Sequence, residues 1–246
     1  RDHKGRNALH LAAPWPETSD LLLRRMDGGT ASTLLFARDD EGSQPLHWAL
    51  TRPSTPEVAA RAGVALLVGA SAKEDPVVNV RNLANQAGPG GNLPAHLTTD
   101  FELLRQLWRV GARFDGGARN DRGALPLHTV AAAPGCIASG ALAFVAGVLN
   151  ITLGGGGRRR LQGAGVTIDD ADAFGRTALH YAAGGGDAQT VQWLIDGGAD
   201  PAIKDVEGDS PLAYGLRAGH RHLIATFSAY GGTPLMTVVR VGRLDI

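Results

Sequence analysis

The stretch Asp172-Ala-Phe-Gly-Arg-Thr-Ala-Leu-His-Tyr-Ala-Ala183 contains a pattern that recurs along the chain. In five copies a glycine precedes a histidine by five residues, across a short and mostly small or apolar turn. These pairs are Gly5 and His10, Gly42 and His47, Gly91 and His96, Gly123 and His128, and Gly175 and His180. A sixth copy, Gly208 to Ala213, keeps the frame without the histidine. Self-similarity at spacings of a few tens of residues indicates a repeat array.

A polar residue stands three positions before the glycine in all copies but one. It is Asp2, Asp39, Asn120, Asp172 or Asp205, and the third copy has Gly88 instead. The step from His180 to Ala213 is 33 residues, and the earlier steps are 37, 49, 32 and 52 residues. The array is therefore regular near its end, and the longer steps indicate insertions between copies.

The fifth copy and the residues that follow it, through Ala199, resemble the ankyrin repeat almost position by position. The family pattern is Asp-x-x-Gly-x-Thr-Pro-Leu-His-x-Ala-Ala, a glycine turn, a helix rich in Val and Leu, and Gly-Ala. The 33-residue step equals the ankyrin period, and the resemblance covers residues 2–232. It implies an all-α fold, an ankyrin-repeat solenoid of stacked helix-turn-helix units with finger loops.

The resemblance divides the chain into an array over residues 1–232 and a C-terminal tail over 233–246 that leaves it. About six repeats start near residues 2, 39, 88, 120, 172 and 205, with insertions near 71–91, expected to be an enlarged finger loop, and near 150–163. The segment Pro14-Trp-Pro-Glu-Thr-Ser19 is expected to lengthen the turn within copy one. Because the sequence begins inside a repeat at Arg1, we expect it to be a piece of a longer protein.

Composition excludes several classes of protein. Lys plus Arg and Asp plus Glu are both 24, so no global charge draws in nucleic acid or an anionic membrane. No apolar run approaches the eighteen or so residues that a membrane span needs. The single cysteine, Cys136, excludes an internal disulfide framework and fits a reducing compartment. We therefore expect an intracellular, cytoplasmic location, with cytoskeletal or organellar association left open.

The starts of the first helices predict uneven local stability. Asn7, Thr177 and Ser210 stand where a side-chain oxygen can accept a hydrogen bond from an unpaired backbone N–H. Gln44, Leu93 and Leu125 occupy the same position in the middle copies and are poor caps. At about 1 kcal/mol lost for each cap, we expect the middle of the array to be less stable than copy five.

The residues give no indication of catalysis, and we expect no catalytic, cofactor-binding or metal-binding residues. The five repeated histidines lie one repeat apart, whereas metal ligands must converge, so they are expected to bond the finger backbone and the turn. Gly154-Gly-Gly-Gly-Arg-Arg-Arg160 lacks the spacing of a phosphate-binding loop. Tetraglycine loses much backbone entropy on ordering, so a loop with a basic tip is expected. Arg158, Arg159 and Arg160 remain candidates for contact with an anionic partner.

In the ankyrin family, partners commonly dock on the concave side that finger tips and first helices form. Carried over, the exposed positions are the two residues before each finger glycine, the one after it and the one after the histidine. Four of these 24 residues are aromatic, against 13 in the whole chain. The predicted partner-binding residues, expected along one concave strip, are Trp48, Arg122, Phe174, Arg176, Tyr181 and Tyr214. The alternative is that residues after the histidine are half-buried between repeats.

The sequence thus predicts a non-enzymatic module for protein–protein interaction or for architecture, inside a larger protein or multi-subunit assembly. Its partners would be proteins, and no small-molecule substrate or cofactor is expected. The alternative is the recognition arm of a larger enzyme or channel whose catalytic or membrane part lies outside this sequence. A weaker alternative is an assembly component that contacts nucleic acid through Arg158 to Arg160, with a salt-dependent affinity.

Overall fold

A computed structural model of the protein describes residues 1–52, 55–72, 80–149 and 166–229. Every regular element within these ranges is helical, as the all-α prediction requires. The chain divides into two compact units, Arg1–Arg113 and Phe114–Ile246. The basic tip at Arg158 to Arg160 and the tail over 233–246 lie outside the described residues, so the predictions made for them stay predictions.

The first unit is built from short helices in pairs, with α2 packed on α5 and α4 packed on α5. Two single 3₁₀ turns, Pro89–Gly91 and Pro94–His96, form the start of copy three. The α-helices are α1 (Ala8–Ala12), α2 (Pro16–Arg25), α3 (Gly28–Leu35), α4 (Pro45–Thr51), α5 (Pro56–Ser71), α6 (Val80–Ala84) and α7 (Phe101–Arg109).

The second unit has the same organisation, and its α10 packs against both α8 and α12. Its helices are α8 (Pro126–Ala131), α9 (Ala141–Val148), α10 (Ala178–Gly185), α11 (Ala188–Asp196), α12 (Pro211–Arg217) and α13 (Leu223–Ser228). None of these short helices could be stable alone. Each is stabilised by the helices stacked beside it, as expected of a repeat protein.

The buried face of the second helices follows the three- and four-residue spacing of the sequence. Leu103, Leu104 and Leu107 of α7 are fully buried, and so are Val191 and Leu194 of α11. Other apolar residues of the second helices are exposed, such as Leu21 of α2 and Trp108 of α7. A run of apolar residues on these helices therefore includes side chains that do not enter the core.

Three helical details differ from the sequence predictions. Helix α2 already begins at Pro16, so little of the segment 14–19 lengthens the turn. The segment 71–91 contains helix α6 and is therefore more than an enlarged finger loop. Helix α3 was not predicted, although Asp27 caps it by accepting a 2.8 Å hydrogen bond from the backbone N–H of Thr30.

The polar residue that opens each finger closes the finger turn with its side chain. Asp172 Oδ1 accepts hydrogen bonds from the backbone N–H groups of Phe174, at 2.8 Å, and Arg176, at 2.9 Å. The same pair of bonds, to the residues two and four positions later, is made by Asp2, Asp39, Asn120 and Asp205. This fixes the finger backbone in every copy except the third.

An arginine directly before this position ties successive fingers together. Arg38 Nη1 donates at 2.7 Å to the carbonyl oxygens of both Gly42, in its own finger, and Ala87, before the next finger. Arg119 Nη1 makes the equivalent pair, at 2.6 Å to Gly123 and 2.9 Å to Ala171. Sequence reasoning missed these bonds, because both acceptors are backbone atoms and leave no trace in residue identity.

The repeated histidines bond within their own repeat, and four of them also bond the next one. Their Nδ1 atoms accept from the backbone N–H at the start of their own helix, at 2.9–3.3 Å. In four copies Nε2 bonds a carbonyl oxygen of the following finger region: His10 to Ser43, His47 to Asn92, His128 to Asp170 and His180 to Asp209, at 2.9–3.2 Å. Because a carbonyl oxygen can only accept, Nε2 carries the proton and the ring is neutral. The predicted structural role of these histidines is confirmed.

The same bonds correct the prediction of weak caps in the middle copies. The backbone N–H groups of Leu93 and Leu125 are bonded to the histidine rings. The N–H groups of His96 and His128 bond back to the carbonyls of Leu93 and Leu125 at 2.9 Å. A tight first turn therefore replaces the side-chain cap, and the lower stability expected of the middle of the array stays a prediction. Thr177 does not cap either, since its hydroxyl lies 3.0 Å from Nδ1 of His180.

The missing aspartate of copy three has a steric cause. A Cβ atom at Gly88 would lie 2.3 Å from Cδ2 of His47. The ring of His47 donates to Asn92 O at 3.2 Å, so it cannot withdraw without losing its bond to the next finger. In this finger, any side chain at position 88 would therefore collide with the ring of His47.

Burial makes the braced histidines sensitive to acid. It lowers the pKa of His10, His47, His128 and His180, and that of His47 falls to about 4. Between the unfolded pKa near 6.5 and the folded value, only the unfolded chain binds the proton. The free energy of unfolding should therefore fall by about 2–3 kcal/mol as the pH falls from 7 to 4.5, because His47 takes up a proton in the unfolded chain. Urea denaturation at both pH values measures the loss.

The variant His47→Gln should show a smaller fall over this pH range, and His3→Gln, which changes an exposed histidine, should keep the wild-type fall. An unchanged fall in His47→Gln would contradict the role assigned to this ring.

The substitution Gly88→Ala should destabilise the protein by about 1–3 kcal/mol, the usual effect of forcing extra atoms into a packed site. Gly147→Ala is the matched control, because a Cβ there meets nothing within 4 Å and the position lies inside α9. The control should be neutral or stabilising by up to about 1 kcal/mol. Thermal denaturation compares the two, and equal effects would rule out the clash with His47.

Candidate functional site

Arginine side chains stack on aromatic rings at the same register in both units. The arginine follows the finger glycine, and the aromatic residue follows the histidine position of the next copy. Arg6 Cζ lies 5.3 Å from the ring centroid of Trp48, and Arg176 Cζ lies 5.6 Å from that of Tyr214. Both distances allow a cation–π interaction. The repeat geometry therefore builds the same arginine–aromatic pair twice.

Trp48, in the first unit, is held on several sides. Its Nε1 donates a 2.8 Å hydrogen bond to Asp39 Oδ2, the oxygen that the finger turn does not use. Arg52 Cζ lies 4.5 Å from its ring, and the ring of His10 meets it edge-on at 6.1 Å between centroids. The indole is half-buried and fixed, and Arg52 is the exposed member of this cluster.

Tyr181 occupies the equivalent position in the second unit and makes the equivalent bond. Its hydroxyl donates at 2.8 Å to Asp172 Oδ2. Burial and this hydrogen bond to the carboxylate raise the pKa of Tyr181 to about 12. The phenol therefore stays protonated and continues to donate to Asp172 at physiological pH.

Arg176 links the aromatic residues of the second unit. Its guanidinium carbon lies 4.5 Å from the ring centroid of Phe174, and its Nη1 donates at 3.1 Å to the hydroxyl of Tyr214. Phe174 is exposed over 41% of its surface. One arginine thus holds an exposed ring on the finger and a half-buried ring on the next helix.

An open groove of about 610 Å³ lies beside these residues, with Arg176, Tyr181 and Tyr214 in its lining. Its floor includes Gly184, where a Cβ atom would come within 2.7 Å of the Tyr214 ring. Arg217 and Glu207 complete the groove and are bonded to each other at 2.6 Å. The groove lining combines aromatic, small and charged residues, as in many binding sites for polar ligands or protein side chains.

The predicted partner-binding residues fall into two exposure classes. Phe174 and Arg122 are exposed, and the hydrogen bonds that Arg122 makes with described residues run through its backbone. Trp48, Tyr181 and Tyr214 are half-buried, as the alternative interpretation anticipates, and Arg176 is half-buried as well. Phe174, Arg176, Tyr181 and Tyr214 come together in the second unit, and Trp48 lies in the first. That all of them form one strip stays a prediction.

Sequence reasoning did not assign roles to Arg52 and Arg217. Each stands near the end of a first helix, four or three residues after the aromatic residue that follows the histidine position. Side chains at this spacing share a helix face, so the pattern could have indicated both residues. Arg52 contacts Trp48, and Arg217 bonds Glu207 and Asp209.

The part of the chain that the structure describes contains no cluster of His, Cys, Asp and Glu that could hold a metal ion. Cys136 is buried, its Sγ lies 3.2 Å from Thr190 Oγ1, and burial raises the pKa of its thiol. The thiolate that a nucleophile requires is thus disfavoured. Among the described helices, none is long and apolar enough to cross a membrane.

Comparisons with known proteins agree with this geometry. A family model described as ankyrin repeats, in three copies, matches residues 158–231. A protein of Acanthamoeba polyphaga mimivirus that is named as an ankyrin repeat protein is 31% identical over 71 residues. That match covers 29% of this chain and 10% of the viral protein, so the chain spans a small part of that relative. The repeats over residues 158–231 are therefore ankyrin repeats.

Solved structures extend the similarity of fold to most of the chain. The ankyrin repeat protein EF0377 superposes with a TM-score of 0.57 at 20% identity, covering 93% of this chain and 98% of that one. A second similar chain comes from the complex of the predatory endopeptidase Bd0816 of Bdellovibrio bacteriovorus with immunity protein Bd3460. It superposes with a TM-score of 0.60 at 20% identity, covering 92% of this chain and 99% of that one. At this identity the likeness shows the ankyrin fold alone.

Proposed function

We propose that this ankyrin array is a non-enzymatic protein-binding or architectural module within a larger protein or assembly. The observation that carries the proposal is the exposed ring of Phe174, held by Arg176 at the edge of the open groove. We call Phe174, Arg176, Tyr181 and Tyr214, together with the nearby finger residue Arg122, the groove surface. A protein partner would cover this surface.

The contacts on the groove surface favour tight recognition for a physical reason. A partner that binds mobile side chains must order them, at about 0.5–1.5 kcal/mol for each flexible side chain. Here Tyr181 is fixed by its bond to Asp172, and Arg176 by its contacts with Phe174 and Tyr214. Aromatic and arginine side chains are the residues that most often dominate interface energies.

The recognition-arm alternative belongs to the same proposal, because a module of this kind can sit inside an enzyme or channel. The viral relative is about ten times longer than the matched segment, which supports a larger context. The endopeptidase complex among the similar structures is consistent with a protein as partner. A cytoplasmic location rests on composition and completes the proposal.

The substitution Phe174→Ala should weaken partner binding by about 1–2 kcal/mol or more, the loss typical of an exposed aromatic anchor. The melting temperature should change little, because the ring is exposed on the finger and does not belong to the buried core. The partner is first identified by crosslinking in native extract with mass spectrometry, and its affinity is then measured with purified proteins by calorimetry.

Leu21→Ala is the matched control, because Leu21 is an apolar side chain of similar exposure on α2 of the first unit. It should leave the affinity unchanged. If Phe174→Ala leaves the affinity unchanged as well, and crosslinks avoid the groove surface, the proposed interface is wrong.

A further inference from the structure

Two fingers of this chain have the same charged pair but differ in how it is bonded. Copies one and five both read Asp-x-x-Gly-Arg, with Asp2 and Arg6 in one and Asp172 and Arg176 in the other. Arg6 Nε donates to Asp2 Oδ2 at 2.6 Å, and Arg6 Nη2 lies 2.5 Å from the same oxygen. Arg176 Nε lies 3.7 Å from Asp172 Oδ2, which is beyond hydrogen-bond reach.

The residue after the histidine causes this difference. In copy five it is Tyr181, whose hydroxyl donates to Asp172 Oδ2 at 2.8 Å. In copy one it is Leu11, which has no donor, so Asp2 Oδ2 is left to Arg6. The tyrosine thus occupies the oxygen that the arginine would otherwise bind.

Arg176 is consequently an incompletely bonded cation beside the groove. Its Nε is buried, and no atom of the described residues accepts a hydrogen bond from it. Its guanidinium makes one hydrogen bond, from Nη1 to the hydroxyl of Tyr214. The side chain is exposed over 24% of its surface and lines the groove. A guanidinium whose hydrogen bond goes to a neutral hydroxyl gains from a carboxylate acceptor, because a charge-assisted hydrogen bond is stronger than a neutral one.

The other groups of the groove fit an acidic ligand. The hydroxyl of Tyr214 accepts from Arg176, so its own hydrogen can be donated to a second acceptor. Glu207, the acidic residue of the lining, is already bonded to Arg217. Asp172 has no exposed side-chain surface. Asp172 balances the charge of Arg176 from 3.7 Å, but the guanidinium makes one hydrogen bond among the described residues, so its donor capacity remains to be matched.

We propose that the groove binds an aspartate or glutamate side chain of the protein partner, through the guanidinium of Arg176 and the hydroxyl of Tyr214. This inference rests on the proposed function, since it names the chemistry that the groove surface recognises. Tyr181 acts as a positioning residue, because its hydrogen bond to Asp172 Oδ2 occupies the oxygen that Arg176 would otherwise bind.

The experiment titrates the protein with N-acetyl-glutamate amide, which presents a single glutamate side chain, and follows the arginine Nε–Hε signals by NMR. The Arg176 signal should shift saturably. The Arg6 signal should not move, because Arg6 is already bonded to Asp2. N-acetyl-glutamine amide, which has the same shape without the charge, should shift Arg176 far less. Equal shifts with the two probes, or no shift at Arg176, would overturn the inference.

The variant Tyr181→Phe provides the sharper test, because it keeps the ring and Arg176 but frees Asp172 Oδ2. Arg176 should then bond Asp172 as Arg6 bonds Asp2, and the affinity for the glutamate probe should fall about tenfold. Circular dichroism establishes that the variant folds, and Arg176→Met gives the complete loss for comparison. Unchanged or tighter binding in Tyr181→Phe, or binding retained in Arg176→Met, would reject the mechanism.

Two further outcomes separate this inference from the proposed function. Inorganic phosphate is titrated in the same way as the glutamate probe. If phosphate saturates the Arg176 shift at a lower concentration than the glutamate probe does, the site recognises phosphate and the assignment to carboxylate is wrong. If Phe174→Ala weakens the partner but replacing the partner's acidic residues by amides does not, the proposed function stands and the acidic-ligand inference falls.

Discussion

A neutral imidazole that accepts one hydrogen bond from its own repeat and donates one to the next finger sets the geometry of this protein. The ring is buried, so the bond cannot be exchanged easily for water, and in four copies it joins the repeat to the finger region that follows. The same bonds explain details elsewhere, including glycine in place of aspartate at Gly88 and the tight first turns at Leu93 and Leu125. His128 reaches Asp170 instead of the residue after the finger glycine, so the brace tolerates some change in the finger it holds.

The finger aspartates connect this scaffold to the candidate site. One carboxylate oxygen of Asp39 or Asp172 closes the finger turn, and the other receives Trp48 or Tyr181. The scaffold thus uses one oxygen of each carboxylate, and the residue after the histidine determines which group bonds the other oxygen. Replacing leucine by tyrosine at this single position leaves the neighbouring arginine available to a ligand. Repeats with nearly identical frames can in this way acquire different surface chemistry.

The sequence predicted what depends on local pattern. The histidine role, the helix pairs and the caps at Asn7 and Ser210 follow from residue type and spacing, and the structure confirms them. It did not predict α3 or α6, which lie where the copies depart from the common frame and the pattern gives no register. The residues of the candidate site were chosen by exposure, but Trp48, Tyr181 and Tyr214 are half-buried because they bond atoms of a finger. Which oxygen a side chain occupies depends on three-dimensional contacts that spacing alone does not encode.

The histidine brace is tested most directly by the nitrogen NMR shifts of the imidazole rings, recorded from pH 7.5 to 5 on uniformly labelled protein. The structure predicts that His10, His47, His128 and His180 are neutral rings with the proton on Nε2 and a bare Nδ1. It further predicts that His47 keeps this form at pH 5, since its pKa is about 4. Protons on Nδ1 in these rings, or titration of His47 near pH 6.5, would contradict the account.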